Sequence, residues 1–433
     1  MMNLYDIAYG LGVAVTAPYW AVNPTARRKV LTAFSQRMGH VSRRDGTGPA
    51  VLIHAVSLGE INATAALVKL LKQSRPDLHV IISTTTQTGY DRGRQLYGAE
   101  GAVTLVRFPL DFTPAIHRLL DALRPSLVVL MELELWPNFL RQCDKRKIPV
   151  LLVNGRMTPT AFKRYKWAKP IIASMLRRLV NICAQDQIYA QRFEQLGGPR
   201  DRIYITGTMK FDTAEVADRV AGDEQLAIEV GLKPGQEPIL VCGSTGPGEE
   251  PIILDTYRRL LRQFPSLRLV IVPRKPERFD EVAARIRHAG FPLLRRSSGP
   301  ASSAAQPVIL GDTMGELRKF FSLASVVFVG RTLVDLGPRQ HGSDMIEPAA
   351  LAKPIIIGPW THNFAEAMRK LREADAIREV TDGEALEKTV AQWLADPAQA
   401  AAVGQRAQQV VKANQGATAT HAKIIFEHLP IKN

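Results

Sequence analysis

Four carboxylates stand where an apolar run gives way to a turn. In IHAVSLGE (53–60) a strand-like run meets Ser57-Leu58-Gly59 and then Glu60. Gly59 suits a tight turn. An acid placed there faces the crevice at the carboxyl end of a parallel strand, where open α/β sheets bind ligands. Such a carboxylate can take the proton of an attacking hydroxyl, or serve only as a helix-start acid stabilised by the helix dipole. In MELELWPN (131–138) Glu132 and Glu134 alternate with apolar residues, so both point one way if the strand continues. Two acids after a buried strand need partners. Arg156 of NGRMTP (154–159) is a candidate, and catalysis by one of the acids is the other reading. Glu347, in GSDMIEPAALAKPIIIGP (342–359), precedes another strand and suits the two hydroxyls of a ribose.

The complementary groups are phosphate-suited. CGSTGPGEE (242–250) reads as strand, Gly/Ser/Thr turn and helix, whose amides can cradle a phosphate. No GK[ST] comes after it, so it is not a P-loop. VPRKPERF (272–279) sets Arg274 and Lys275 at the next strand end, where a cation can meet the same phosphate. GDTMGEL (311–317) is a further loop entering a helix. Singly these are ordinary turns; four on one domain point to a nucleotide-carrying ligand. Between Arg156 and Arg178 the cations Lys163, Arg164, Lys166, Lys169 and Arg177 occur without an acid, interleaved with Phe162, Tyr165 and Trp167. That mixture suits RNA, a phosphorylated lipid headgroup or a solvated helix face.

The elements that position these residues alternate. Strand candidates lie at 50–56, 78–84, 102–106, 126–131, 149–153 and 180–184, then at 238–243, 267–273, 308–311, 325–330 and 353–358, mostly with helical stretches between them. Continuous apolar runs with helical crossovers indicate parallel sheets covered on both faces, a doubly wound α/β architecture. The pattern breaks over 205–236. The expected organisation is an anchor with basic flank (1–45), a first Rossmann-like domain (46–210), a linker (211–236), a second Rossmann-like domain (237–412) and a C-terminal helix (413–433) able to pack back on the first domain. SSGPASSAAQ (297–306) reads as a surface loop.

Charge is divided unequally. The 433 residues hold 56 Lys+Arg and 41 Asp+Glu, a net of +15. Residues 1–210 hold 29 and 14 of these and residues 211–433 hold 27 of each, so the first half carries the whole excess. A polyanion, a phosphorylated substrate or an anionic membrane is expected to face that half. At 46% hydrophobic and 22% charged, wholesale disorder and a polytopic membrane protein are excluded. Cys143, Cys183 and Cys242 form neither a CxxC nor a metal-ligand spacing and read as buried thiols. Residues 7–26 carry no charge, with Tyr19 and Trp20 near their end and Arg27, Arg28, Lys29, Arg37, Arg43 and Arg44 beyond. This predicts a membrane anchor, spanning or interfacial, that keeps the downstream domains in the cytoplasm. The alternative is a helix packed on the domain. A cleaved signal peptide fits poorly because the basic n-region is missing.

Taken together the strings HAVSLGE, MELELWPN, TGTMKFD (206–212), GSTGPGEE, VPRKPERF, DTMGEL, EPAALAKP and GPWTHNF (358–364) resemble, in family order, the 3-deoxy-D-manno-octulosonic acid (Kdo) transferases of lipopolysaccharide biosynthesis. The resemblance implies a GT-B glycosyltransferase whose two Rossmann-like domains face a cleft. It implies inverting transfer of Kdo from CMP-Kdo to a phosphorylated, acylated lipid A precursor at the cytoplasmic face of the inner membrane, with no essential metal or cofactor. By motif match Glu60 is the base and Glu134 a second important acid. Ser244, Thr245, Arg274, Met314, Gly315, Glu347 and Asn363 fall in donor-site motifs. Arg156, Lys163 and Arg164 are expected to meet the acceptor phosphates, and nucleic acid becomes the least favoured partner. The chain departs from the family strings in the donor half: Gly246 and Lys275 stand where the family has His, Ser343-Asp344 replace a His-Asn pair, and residues are inserted between Val334 and Gly342. The rival readings are another GT-B glycolipid transferase or nucleotide-sugar enzyme, and a non-enzymatic basic membrane-associated protein that binds RNA or anionic lipid.

Overall fold

The computed structural model describes residues 3–23, 32–98, 103–299, 306–337 and 340–430. Arg27, Arg28 and Lys29 of the basic flank, and most of the expected loop at 297–306, lie outside the described residues. The chain forms two units, Met1–Thr213 with Gln415–Asn433, and Ala214–Asn414.

The first unit holds β1 (Ala50–His54), β2 (His79–Thr84), β3 (Val103–Arg107), β4 (Leu127–Met131), β5 (Val150–Gly155), β6 (Asn181–Ala184) and β7 (Ile203–Ile205). They pair in parallel in the order β3-β2-β1-β4-β5-β6-β7. Every residue of β1 and β4 is buried, because helices cover both faces. Alternate residues serve different cores, as a two-residue period demands. Val51 and Ile53 pack with Leu67 and Leu71 of the Leu58–Ser74 helix and with Ile425 of the Ala417–Glu427 helix. Ala50 and Leu52 pack with Leu119, Phe139 and Leu176. Strands leave β1 on both sides, toward β2 and toward β4, so its carboxyl end is a topological switch point.

Ala417–Glu427 is capped by the Asp212 carboxylate, which accepts from the Gly416 and Thr418 amides at 2.7 and 2.5 Å. His421 on that helix is fully buried, and its Nε2 accepts from the Asn154 amide at 3.2 Å.

The second unit holds β8 (Ile239–Thr245), β9 (Arg268–Pro273), β10 (Leu293–Arg295), β11 (Val308–Leu310), β12 (Val326–Val329), β13 (Ile355–Ile357) and β14 (Arg378–Glu379). Its parallel order is β10-β11-β9-β8-β12-β13-β14, with β8 at the switch point. The stretch expected as a linker, 211–236, is divided instead. Phe211–Thr213 belongs to the first unit, and the rest joins the second. There the Val220 amide donates to Ser322 Oγ (3.2 Å), and Asp223 takes Arg219 as a bidentate partner.

The helix Leu4–Val22 is fastened at one end. Asn3 and Asp6 form its capping box. Asp6 is fully buried and its Oδ1 also accepts from the Thr113 amide (2.9 Å) and Asn138 Nδ2 (2.8 Å). The remainder exposes Ile7, Leu11, Val15, Tyr19 and Val22. Among the described residues, no helix is long and apolar enough to cross a membrane.

Candidate active site

In the first unit the acids collect at the ends of β1 and β4. Ser57 caps the Leu58–Ser74 helix, and Glu60 is the reciprocal member of its capping box. The Glu60 carboxylate accepts from the Val56 and Ser57 amides at 3.0 and 3.2 Å. The helix-start role and the position at the switch point therefore coexist in one residue. Burial, then the charge of Glu132, push its carboxyl above the usual carboxylate range.

The alternation expected of Glu132 and Glu134 is corrected. β4 ends at Met131, and Glu132 turns the chain with a left-handed φ of +53°. Glu132 meets Arg156 through backbone: the Arg156 amide donates to the Glu132 carbonyl at 3.3 Å. Glu134 is the more perturbed acid. Burial and the neighbouring Glu60 charge push it up to about 7. Trp136 Nε1 donates to its Oε2 at 3.1 Å.

His54, at the end of β1, escaped attention as part of a strand. It is fully buried, stacked on Phe108 with ring centroids 3.7 Å apart, and burial pushes its imidazole down to about 3. The ring is therefore neutral. Nδ1 donates to the Ser83 carbonyl at 3.2 Å, which leaves Nε2 an acceptor, 3.8 Å from Glu134 Oε2. A protonated Glu134 faces a bare nitrogen there. Lys163 and Arg164 are exposed on the Pro159–Trp167 helix. That helix borders Glu134 through Tyr165, whose hydroxyl feels the Glu134 charge.

In the second unit, two buried acids that sequence reading passed over build the turn at the end of β8. Glu249 and Glu250 open the Glu249–Leu260 helix, and both are fully buried. Glu249 Oε2 accepts from the Gly246 and Arg331 amides at 2.8 and 2.7 Å. Its Oε1 accepts from Thr332 and Leu333 at 2.8 and 2.9 Å. One carboxylate thus ties the turn after β8 to the turn after β12. Glu250 accepts from Thr245 Oγ1 at 2.8 Å and holds Arg278 bidentately at 2.7 and 2.9 Å. Two acids at a helix start look like dipole partners; their burial and their remote donors are visible only in three dimensions.

Ser244, at the end of β8, and Arg331, just after β12, both hold left-handed backbone, with φ of +57° and +61°. Non-glycine residues rarely do so, and such strain concentrates at functional sites. Arg274 is exposed at the end of β9, and its amide donates to the Thr245 carbonyl at 3.1 Å. Met314 is 70% exposed beside Gly315 (φ +87°). Glu347 is half-buried in the Ile346–Ala350 helix, where burial and Asp344 push it up to about 7.

The departures from the family strings have a steric counterpart. A Cβ on Gly246 would lie 2.7 Å from Leu336 Cδ1 and 2.8 Å from Arg331 Cγ, so residues of the 331–336 loop fill the space a side chain would need. The loop closes through the Gly342 amide, which donates to the Arg331 carbonyl at 2.8 Å, and Asn363 Nδ2 holds the His341 carbonyl at 2.7 Å. Gly330 is tighter still. A Cβ there would lie 2.6–2.8 Å from Thr245 and Ser244 backbone atoms. Gly330→Ala is therefore expected to cost about 1–3 kcal/mol of stability. An equal melting temperature in the variant would contradict this packing.

Two doubly wound parallel units, the second with a strained, amide-rich turn at its switch point, define a GT-B-type fold. Solved structures share it. A UDP-GlcNAc 2-epimerase from Neisseria meningitidis bound to UDP-GlcNAc aligns with a TM-score of 0.55 at 15% identity, over 88% of this chain and 99% of that one. A glycosyltransferase from Rickettsia africae aligns with 0.57 at 13%, over 88% and 99%. The profile of the family described as "3-Deoxy-D-manno-octulosonic-acid transferase (kdotransferase)" matches residues 32–213. The 3-deoxy-D-manno-octulosonic acid transferase of Haemophilus influenzae is 35% identical over 368 residues, 85% of this chain and 84% of the relative. That of Bordetella pertussis is 32% identical over 375 residues, 85% of each chain. The chain belongs to the Kdo transferase family and is a glycosyltransferase.

Proposed function

We propose that the chain transfers Kdo from CMP-Kdo to a phosphorylated, acylated lipid A precursor, with inversion. What supports this reading is where the family strings fall. HAVSLGE, MELELWPN, TGTMKFD, GSTGPGEE, VPRKPERF, DTMGEL and GPWTHNF each begin within or just after the carboxyl end of a parallel strand, where α/β sheets bind ligands. Glu60 accepts the proton of the acceptor hydroxyl as that oxygen bonds to the anomeric carbon of Kdo. The bond from that carbon to the phosphate oxygen breaks, and CMP leaves with the electron pair. Amides of the Ser244-Thr245 turn and the Arg274 guanidinium stabilise the charge that develops on the phosphate. Glu347 accepts from the ribose hydroxyls, the Met314-Gly315 loop lies against the base, and Asn363 holds the far side of the turn. Arg156, Lys163 and Arg164 meet the acceptor phosphates. Donor identity is tested by thermal protection: CMP is expected to raise the melting temperature and UDP to leave it unchanged. The reverse result would favour a UDP-sugar enzyme on the same fold.

Location at the cytoplasmic face of the inner membrane rests on the Leu4–Val22 helix. Nineteen residues span roughly 28 Å as a helix. Ile7, Leu11, Val15 and Tyr19 recur every four residues and form one exposed stripe. A helix rooted by Asp6 and otherwise apolar suits the membrane interface, with its apolar side in the acyl region. Wild-type protein is expected to sediment with anionic phospholipid vesicles even in high salt, and a Leu11→Asp/Val15→Asp double variant to remain in solution. Release of the wild type by salt alone would show purely electrostatic binding and contradict an apolar anchor.

A further inference from the structure

The loop between Val334 and Gly342 carries a polar chain that the donor-site assignments leave unused. His341 is buried at 3% exposure, with its ring 5.0 Å from the Trp360 ring. Its Nε2 lies 2.6 Å from Asp335 Oδ1, and its Nδ1 lies 2.9 Å from Nδ1 of His362. The carboxylate fixes one proton of the chain. A carboxylate only accepts, so His341 Nε2–H donates to Asp335. With the His341 ring neutral, its Nδ1 has only a lone pair to offer, and His362 Nδ1–H donates to it. The remaining nitrogen, His362 Nε2, belongs to an exposed residue on the turn after β13.

That turn adjoins the phosphate-suited one. Ser343 Oγ lies 3.5 Å from the Ser244 carbonyl, and a Cβ on Gly342 would touch Thr361 and Phe364 at 3.5 and 3.2 Å. Residues 341–343 therefore run between the Ser244 turn and the 360–364 turn. With a phosphate accepting from His362 Nε2, the ring carries a proton on each nitrogen, one donor directed inward and one to the ligand, and Asp335 supplies the compensating charge at the far end of the chain. Other charged groups among the described residues here are Arg331, which donates to the Gln340 carbonyl at 2.7 Å and whose amide donates to Glu249, Arg274 near Arg331, Asp344 beside Ser343, and Glu366, which pairs with Lys370 at 3.5 Å.

We propose that His362 is a cationic contact for the donor phosphate in this chain, and that Asp335 and His341 are positioning residues that aim it and balance its charge. The proposal rests on the CMP-sugar reading above and adds a residue to that site.

The test measures binding of CMP and of cytidine to the full chain by calorimetry. Cytidine lacks the phosphate, so general damage to the site weakens both ligands, whereas loss of a phosphate contact weakens CMP alone. His362→Ala is expected to lower CMP affinity roughly tenfold or more with cytidine unchanged, and His362→Lys to restore most of it. Asp335→Asn keeps the shape and the acceptor oxygen but removes the charge, on a side chain that is 55% exposed. It is expected to lower CMP affinity about threefold or more, again sparing cytidine. CMP affinity unchanged in His362→Ala, or CMP and cytidine weakened equally, would overturn the proposal while leaving the donor reading intact. A wild-type chain that binds no CMP would overturn both.

Discussion

Glu60→Gln is expected to lower transfer about 100-fold or more, the usual contribution of a positioned general base, while the fold survives. The two effects separate because of the capping box. Glutamine is an accepted partner at that position, and its carboxamide oxygen still accepts from one of the Val56 and Ser57 amides that Glu60 now serves. The structural cost is then limited to about 1 kcal/mol, the worth of one ordinary hydrogen bond. Binding of CMP, proposed above for residues of the other unit, is expected to be unchanged. Glu60→Asp keeps the acid but retracts it by one methylene, and should fall between the two. Steady-state rates and urea melts on the same preparations distinguish the roles. If Glu60 only caps its helix, Glu60→Gln retains nearly full rate; if it is the base, the rate falls far beyond any loss of folded protein.

Glu249→Gln is the second large effect, and it falls on stability. An isosteric change of a surface glutamate is usually worth less than about 0.5 kcal/mol. Here each carboxylate oxygen accepts two backbone amides, Gly246 and Arg331 on one and Thr332 and Leu333 on the other. A carboxamide has only one acceptor oxygen, so its NH2 group must face two N–H donors in a site that is fully buried. Two unsatisfied buried amides cost about 1–3 kcal/mol each, giving about 2–6 kcal/mol for the second unit. Because the chain has two units, the loss should appear as a shifted transition of one of them. Weakened CMP binding should accompany it, since the turn after β8 loses its tie to the turn after β12. A variant as stable as wild type would mean that the carboxylate does not hold these turns.

Much of the architecture was legible because parallel strands buried on both faces read as unbroken apolar runs, as AVLIH of β1 and LVVLM of β4 do. Strands β7, β10 and β14 escaped detection. They have three, three and two residues, half-buried or exposed at sheet margins, with too few apolar positions to stand out. The linker expected at 211–236 looked detached because its sequence is polar and turn-rich, yet Asp223 and Val220 bind Ser322, about a hundred positions on. The acids were located by their positions at strand ends, while their partners were hidden. Ser57-x-x-Glu60 is a capping signature written in the sequence. By contrast, three of the four donors to Glu249 lie 82–84 residues downstream. His341 and His362 are 21 positions apart, and nothing local in either string announces their contact.

The proposed transfer of Kdo to a lipid A precursor is tested most directly by the mass of the lipid product. Purified protein is incubated with CMP-Kdo and a lipid A precursor, and the extracted lipid is weighed by mass spectrometry. Lipid heavier by whole Kdo residues is expected with wild-type protein, and strongly reduced amounts of it with Glu60→Gln. Unmodified lipid from a wild-type chain that binds CMP would contradict the transfer.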